Sequence, residues 1–178
     1  MTANPAATPP SGSYARVQTP LGWLHIAVRS GAVVQTSMPG EPRDRFLAGL
    51  ADRFPGVGFR EEPRDPLLLR ASHQVLEYFQ GRRRSFDLPL DPGGTTFQAR
   101  VWRSLGAIPY GAVRSYRDVA QSVGRPGAFR AVGQANHANP IPLIIPCHRV
   151  IAADGTLGGY GGGLRMKQQL LSREGVEL

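Results

Sequence analysis

Ser115-Tyr116-Arg117-Asp118-Val119-Ala120-Gln121-Ser122-Val123-Gly124-Arg125-Pro126-Gly127-Ala128-Phe129-Arg130-Ala131-Val132-Gly133-Gln134-Ala135-Asn136 is the stretch that decides the fold. Val119, Ala120 and Val123 fall on one face of a helix over 115–123. Gly124-Arg125-Pro126-Gly127 turns the chain, and a further helix runs over 128–136. Two short helices around a glycine-containing turn make a helix-turn-helix outline. Helices that read base edges in the major groove present several hydrogen-bonding side chains. The second helix instead offers Ala131, Gly133 and Ala135, with Arg130 as its one long cation. That surface fits close backbone approach to a minor groove, with Arg130 filling a vacated base position. It equally fits an αα-hairpin packed in a core, where Ala and Gly permit tight contact.

Outward from this motif toward the N-terminus, Thr95-Thr96-Phe97-Gln98 reads as a capping box for a helix with Phe97, Val101 and Leu105 on one face. Pro109-Tyr110-Gly111 breaks that helix, and Asp91-Pro92-Gly93-Gly94 marks a domain boundary. Before the boundary the pattern is α/β. Leu24, Ile26 and Val28 alternate with Trp23, His25 and Ala27, the period of a half-buried strand, and Gly31 turns into a second strand over 32–36. Phe46, Leu50 and Phe54 mark a helix that Pro55-Gly56 stops. Pro66 opens another, with Leu68, Ser72, Val75 and Phe79 aligned and Gly81 at its end. Phe86, Leu88 and Leu90 predict a third strand. The expected organisation is a disordered Ala/Pro/Thr-rich leader over 1–13, an α/β scaffold domain on a small antiparallel sheet over 14–92, and a mostly α domain with the helix-turn-helix over 93–178.

Toward the C-terminus, Asn139-Pro140-Ile141-Pro142-Leu143-Ile144-Ile145-Pro146 is too proline-rich for a regular helix and reads as a stiff extended segment. It delivers Cys147, the only cysteine of the 178 residues, followed directly by His148. A lone cysteine is commonly a small buried hydrophobe. A histidine neighbour and a nearby glycine-rich loop favour chemistry, because thiolate is the reactive form and a base raises its population. Asn139 is placed to tie the helix end to the segment, or is an ordinary turn residue. Gly158-Gly159-Tyr160-Gly161-Gly162-Gly163 makes a flexible rim for a planar ligand, and no Gly-Lys-Ser/Thr follows to make it a phosphate loop. A Cys-His pair needs a group to orient the imidazole, and the residues leave Glu174, Asp154 and Asp118 as candidates.

Composition narrows the class. A single cysteine excludes an internal disulfide, and no apolar run is long enough to span a bilayer. The first residues lack the basic and apolar regions of a secretion signal, so a cytoplasmic protein is expected. Net charge is +8 and uneven: residues 1–92 carry eleven Arg against nine acids, residues 93–178 nine Arg and one Lys against four. The excess in the second half suits a polyanionic partner, although a generally arginine-rich chain would look similar.

Taken together, Phe97-Gln98, Val101-Trp102, Ile108-Pro109-Tyr110-Gly111, Ser115-Tyr116, Arg130-Ala131-Val132-Gly133, Asn139-Pro140, Pro146-Cys147-His148-Arg149-Val150, Gly159-Tyr160, Leu170-Leu171 and Glu174-Gly175 resemble, in order and spacing, the O6-alkylguanine-DNA alkyltransferases. Thr19-Pro20-Leu21-Gly22 adds a weaker likeness. The resemblance implies a ribonuclease H-like N-terminal domain and single-turnover, irreversible transfer of an alkyl group from O6-alkylguanine, and from O4-alkylthymine as a further substrate, to Cys147. It implies His148 as base, Glu174 as its orienter and Asn139 as the link to the helix. Arg130 would replace the flipped guanine in the stack, with Ala131 and Gly133 against the groove. Tyr116 would rotate the 3′ phosphate, the carbonyls of Cys147 and Val150 would hold the guanine amino group, and Tyr160 and Gly161 would line the pocket. Some members have serine where Gly161 stands, which leaves alkyl size preference open. Others bind zinc through N-terminal cysteines that this chain lacks, so no metal and no cofactor are expected. The implied partner is double-stranded DNA containing O6-alkylguanine, with the protein a monomer. A Cys-His-Glu thiol hydrolase and a non-enzymatic lesion binder are the competing readings.

Overall fold

The computed structural model describes residues 11–177. Its first half is a four-stranded sheet flanked by two helices. β1 (Ser11–Thr19), β2 (Gly22–Arg29) and β3 (Ala32–Thr36) form an antiparallel meander, α1 (Arg43–Arg53) crosses over, and β4 (Gly58–Glu61) returns parallel to β1. The order is β3-β2-β1-β4, so the sheet is mixed and not purely antiparallel. Gly22 closes the β1–β2 turn at φ 115°, and a Cβ there would lie 2.9 Å from the Gly40 backbone. The residues that the sequence reading assigned to the end of a leader, 11–13, open β1; residues 1–10 lie outside the described part.

β2 is not half-buried. Leu24, Ile26 and Val28 face α2 (Pro66–Phe79), while Ala27 sits with Tyr14, Phe46 and Leu50 under α1. His25 is also buried, its ring stacked 5.2 Å from that of Phe46. A helix on each face gives this strand apolar or stacked partners on both sides. The predicted strand over 86–90 reduces to a single bridge between Leu90 and Val33. Gln74 on α2 donates to the Asp87 carbonyl and accepts from its N–H, and Pro89 and Pro92 have no N–H to give. The backbone groups a ladder needs are therefore taken or missing.

In the second half, α3 (Thr96–Gly106) has the Thr95/Gln98 capping box, and α4 (Tyr116–Ser122) has a second box from Ser115 and Asp118. Each cap is worth about 1 kcal/mol. α5 (Phe129–His137) completes the helix-turn-helix, and Trp102 on α3 fastens it by donating its indole N–H to the Ala135 carbonyl at 2.8 Å. A short parallel pair, β5 (Arg114–Ser115) with β6 (Val150–Ile151), ties the chain before α4 to the chain after the cysteine. α6 (Leu164–Arg173) closes the fold. One apolar core runs through both halves, from Leu24 and Val75 to Val132, Ile141 and Leu170. Thr36 locks the halves in register: its N–H donates to the Pro140 carbonyl at 3.0 Å and its hydroxyl to the Pro142 carbonyl at 2.8 Å. Among the described residues no helix is long and apolar enough to cross a membrane.

Candidate active site

The proline segment after α5 cannot satisfy itself as a helix, so the Asn139 side chain takes the place of backbone pairing. Its amide donates to the Ile145 carbonyl at 2.9 Å and accepts from the Ile141 N–H at 3.1 Å. Leu143 turns the segment at φ 73°, a conformation that costs a non-glycine residue on the order of 1–3 kcal/mol and persists because its neighbours fix it. The segment ends in a one-turn 3₁₀ helix, Cys147–Arg149, buried throughout. Cys147 is 3% exposed, and its carbonyl accepts from the Asn136 amide of α5 at 3.3 Å.

Behind the cysteine lies a closed set of polar groups. His148 Nε2 is 2.9 Å from Glu174 Oε1, and neither side chain is exposed. Arg149 clamps the same carboxylate with Nε (2.8 Å) and Nη2 (3.0 Å) and donates through Nη1 to the Ile108 carbonyl. Tyr78, from α2 in the first half, donates its hydroxyl to Glu174 Oε1 at 2.7 Å. Gly175 ends α6 at φ 80°, which leaves Glu174 at the helix terminus where all these groups converge. Burial alone would raise the Glu174 carboxyl; bonds from His148 and Arg149 outweigh it and hold it at about 2. Burial pushes the His148 imidazole down, more than bonded Glu174 lifts it. The resulting state is an ionised Glu174 accepting from a neutral His148 through Nε2–H, with Nδ1 left as a base. Burial also pushes the Cys147 thiol up, opposed by the Asn139 amide, the Lys167 charge and the Tyr160 hydroxyl. Asp118 and Asp154, the other orienter candidates, are engaged elsewhere, on Ser115 and Thr156.

Cys147 opens onto a cavity of about 110 Å³ shared with Tyr116, Gly133, Asn136, Asn139, Tyr160, Gly161 and Met38. Gly158 lets the glycine loop pass close by: a Cβ there would lie 3.1 Å from the Tyr116 ring, and the Tyr116 hydroxyl donates to the Gly159 carbonyl at 3.3 Å. Among the described residues four buried side-chain polar atoms lack a hydrogen-bond partner, and Asn136 Oδ1, His148 Nδ1 and the Tyr160 hydroxyl, all neighbours of Cys147, are three of them. Such groups are costly unless something binds them. The structure does not bring Ala131, Arg130 or Val150 to this cavity. Ala131 and Arg130 are exposed on α5, and Val150 is buried, with its carbonyl taken by the Lys167 ammonium. A larger groove of about 860 Å³ between the 84–93 segment and α3 holds neither Cys147 nor His148.

Sequence reasoning missed four contributors: Tyr78, Arg149 as a ligand of Glu174, Lys167 and Met38. Arg149 carried a readable signal, since it sits in the Cys147-His148-Arg149-Val150 string ahead of apolar Val150-Ile151 and a long cation has to find a partner when buried; Lys167, followed by Gln168 and Gln169, carried less. Lys167, fully buried, donates to the carbonyls of Val150, Leu157 and Gly159, and burial lowers its pKa to about 8. Tyr78 and Met38 come from the other half of the chain and had none. Among the described residues no cluster of three or more His, Cys, Asp or Glu side chains is placed to hold a metal ion.

The DNA-binding domain model of 6-O-methylguanine DNA methyltransferase matches residues 96–176, and the ribonuclease-like domain model of the same proteins matches residues 38–92. A methylated-DNA–protein-cysteine methyltransferase from Mycolicibacterium paratuberculosis is 44% identical over 90% of this chain and 91% of its own length. The chain belongs to the methylated-DNA–protein-cysteine methyltransferase family. A constitutive member from Bacillus subtilis is 42% identical over 92% of this chain and 95% of its own. Two crystal structures from Mycobacterium tuberculosis, O6-methylguanine methyltransferase and OGT in complex with DNA, superpose with TM-scores of 0.78 at 39% and 40% identity, each over 92% of its own chain. In this chain the one cysteine, Cys147, directly precedes His148, whose Nε2 is held by Glu174.

The helix-turn-helix carries its cations outward. Arg130 and Arg117 both place guanidinium groups 5.8 Å from the ring of Phe129, itself 38% exposed at the start of α5. Cationic side chains on this face suit a phosphate backbone.

Proposed function

We propose that this protein repairs DNA by taking the alkyl group of O6-alkylguanine onto Cys147, once per molecule. The observation that carries the assignment is the one thiol of the chain, set beside an unpartnered imidazole nitrogen whose other nitrogen is held by an ionised carboxylate.

No hydrogen bond joins the thiol to His148 Nδ1 directly, so the thiol proton passes to that nitrogen through a bridging water while the sulfur attacks the O6-alkyl carbon. The S–C bond forms as the C–O6 bond breaks, and its electron pair returns to the guanine, which takes up a proton on leaving. Because burial keeps the thiol protonated at rest, the base is needed at the moment of transfer. Glu174, fixed by Arg149 and Tyr78, stabilises the imidazolium that forms. The product is a thioether, which water does not cleave, so the reaction ends with the first transfer. Asn136, Asn139 and the Tyr160 hydroxyl offer donors and acceptors to a flipped base, with Tyr116, Gly133 and Gly161 as walls. Arg130, exposed at the start of α5, enters the stack in its place, and Ala131 allows the helix to approach the groove. Flipping costs a few kcal/mol, less for a damaged pair. Residues 93–178 carry this chemistry in the cytoplasm, on the scaffold of residues 14–92, which continues back to Ser11.

Two results test this. Incubated with excess O6-methylguanine duplex, the protein repairs one duplex per molecule and stops; continued turnover would favour a thiol hydrolase. Arg130→Ala slows repair in duplex by about tenfold, or about 1.4 kcal/mol, a part of the few kcal/mol that flipping costs. It leaves reaction with free O6-benzylguanine nearly unchanged, since no base has to be replaced. Equal slowing of both, in single-turnover assays, would remove Arg130 from flipping.

A further inference from the structure

The acceptor cavity has one wall from outside the second half. Met38 follows β3 and lies on the glycine loop: a Cβ on Gly162 would be 3.2 Å from its sulfur, and one on Gly161 would be 3.9 Å from its methyl carbon. Its backbone is pinned. The Met38 N–H donates to the Glu41 carboxylate at 3.2 Å, its carbonyl accepts from the Glu41 N–H at 3.1 Å, and Thr36, two residues earlier, is bonded to the segment that leads to Cys147. The anchored backbone leaves the side chain as the movable part, and methionine, unbranched with three rotatable bonds, adapts to gaps better than any other apolar residue.

At about 110 Å³ the cavity is well below the 300 Å³ or more usual for small-molecule sites. A base with an alkyl group fits only if a wall retreats. Of the other lining side chains, Tyr116, Asn136 and Asn139 are tied by hydrogen bonds to Gly159, Cys147 and Ile145, the Tyr160 ring packs against the core, and His137 lies at the exposed end of α5. Gly161 is lined by no side chain of its own. We infer that Met38, a residue of the first half of the chain, is the compressible wall that sets which alkyl sizes Cys147 accepts. This rests on alkyl transfer to Cys147 and names its size determinant.

The experiment compares single-turnover transfer from duplexes carrying O6-methylguanine or O6-benzylguanine, in the full-length wild type, Met38→Ala and Met38→Phe, with thermal midpoints as a check on folding. Met38→Ala raises the benzyl-to-methyl rate ratio by about tenfold or more, the discrimination that methylene-sized contacts carry in an apolar pocket. Met38→Phe, bulkier and stiffer, lowers it. A ratio unchanged in Met38→Ala, with transfer intact, overturns the inference and leaves the repair reaction standing. If the wild type transfers neither group, it is the reaction itself that fails.

Discussion

Cys147→Ser takes up no alkyl group from an O6-methylguanine duplex and still binds that duplex. The substitution exchanges a sulfur for a smaller oxygen at one buried position without adding bulk, so the fold and the DNA-facing α5 are retained. The chemistry is lost because a serine hydroxyl is a far weaker acid than a thiol, and His148, with its proton affinity lowered by burial, cannot deprotonate it to a useful extent. With no second cysteine in the chain, no other thiol can take over. Label transfer measured beside a mobility-shift titration checks both halves of this prediction. Transfer at more than a trace of the wild-type rate would contradict it.

Glu174→Ala has the largest expected effect on stability. Removing the carboxylate leaves Arg149 buried without its ion partner, and Tyr78 and His148 without an acceptor. Breaking a buried pair from one side costs about 3–5 kcal/mol, which for a chain of this size lowers Tm by roughly 10 °C. The same residue gives a pH signature. Its folded pKa of about 2 lies below the ordinary 4.5, so its stabilisation is complete above about 4.5 and is lost as pH falls through that range toward 2. Glu174→Gln keeps the shape and removes this contribution, so its Tm falls less steeply than wild type between those values. It also slows alkylation of Cys147 by iodoacetamide, since the imidazole loses its counter-charge. Thermal melts across pH, together with iodoacetamide rates, check this; parallel acid limbs and equal rates would mean that the carboxylate does not act on the relay.

The elements that local pattern decides were readable in the sequence. Thr95 and Ser115, each followed three residues later by Gln98 or Asp118, mark helix starts that the structure keeps. The prolines around Ile141 and Ile145 exclude a helix, and the sequence sets the one thiol, Cys147, directly before an imidazole, His148. What escaped depends on distant partners. β1 was hidden because Ser11, Gly12 and Ser13 resemble linker, and Ala15 and Val17 alternate with Arg16 and Gln18 over only four residues. Leu88 lost its strand to a glutamine side chain from α2, a competition that no period reveals. Among three carboxylates, Glu174 could not be chosen without the resemblance, because only the tertiary fold sets His148 and Arg149 against the end of α6. Tyr78 and Met38 reach the site across the junction between the halves, where sequence distance carries no information.

The measurement closest to the central claim is the intact mass of the protein, followed by peptide mapping, after incubation with a duplex containing one O6-methylguanine. The account predicts a gain of one methyl group, located on Cys147 and saturating at one per protein molecule. A protein that binds and restores the duplex with its own mass unchanged, or that carries the methyl group on any other residue, would contradict it.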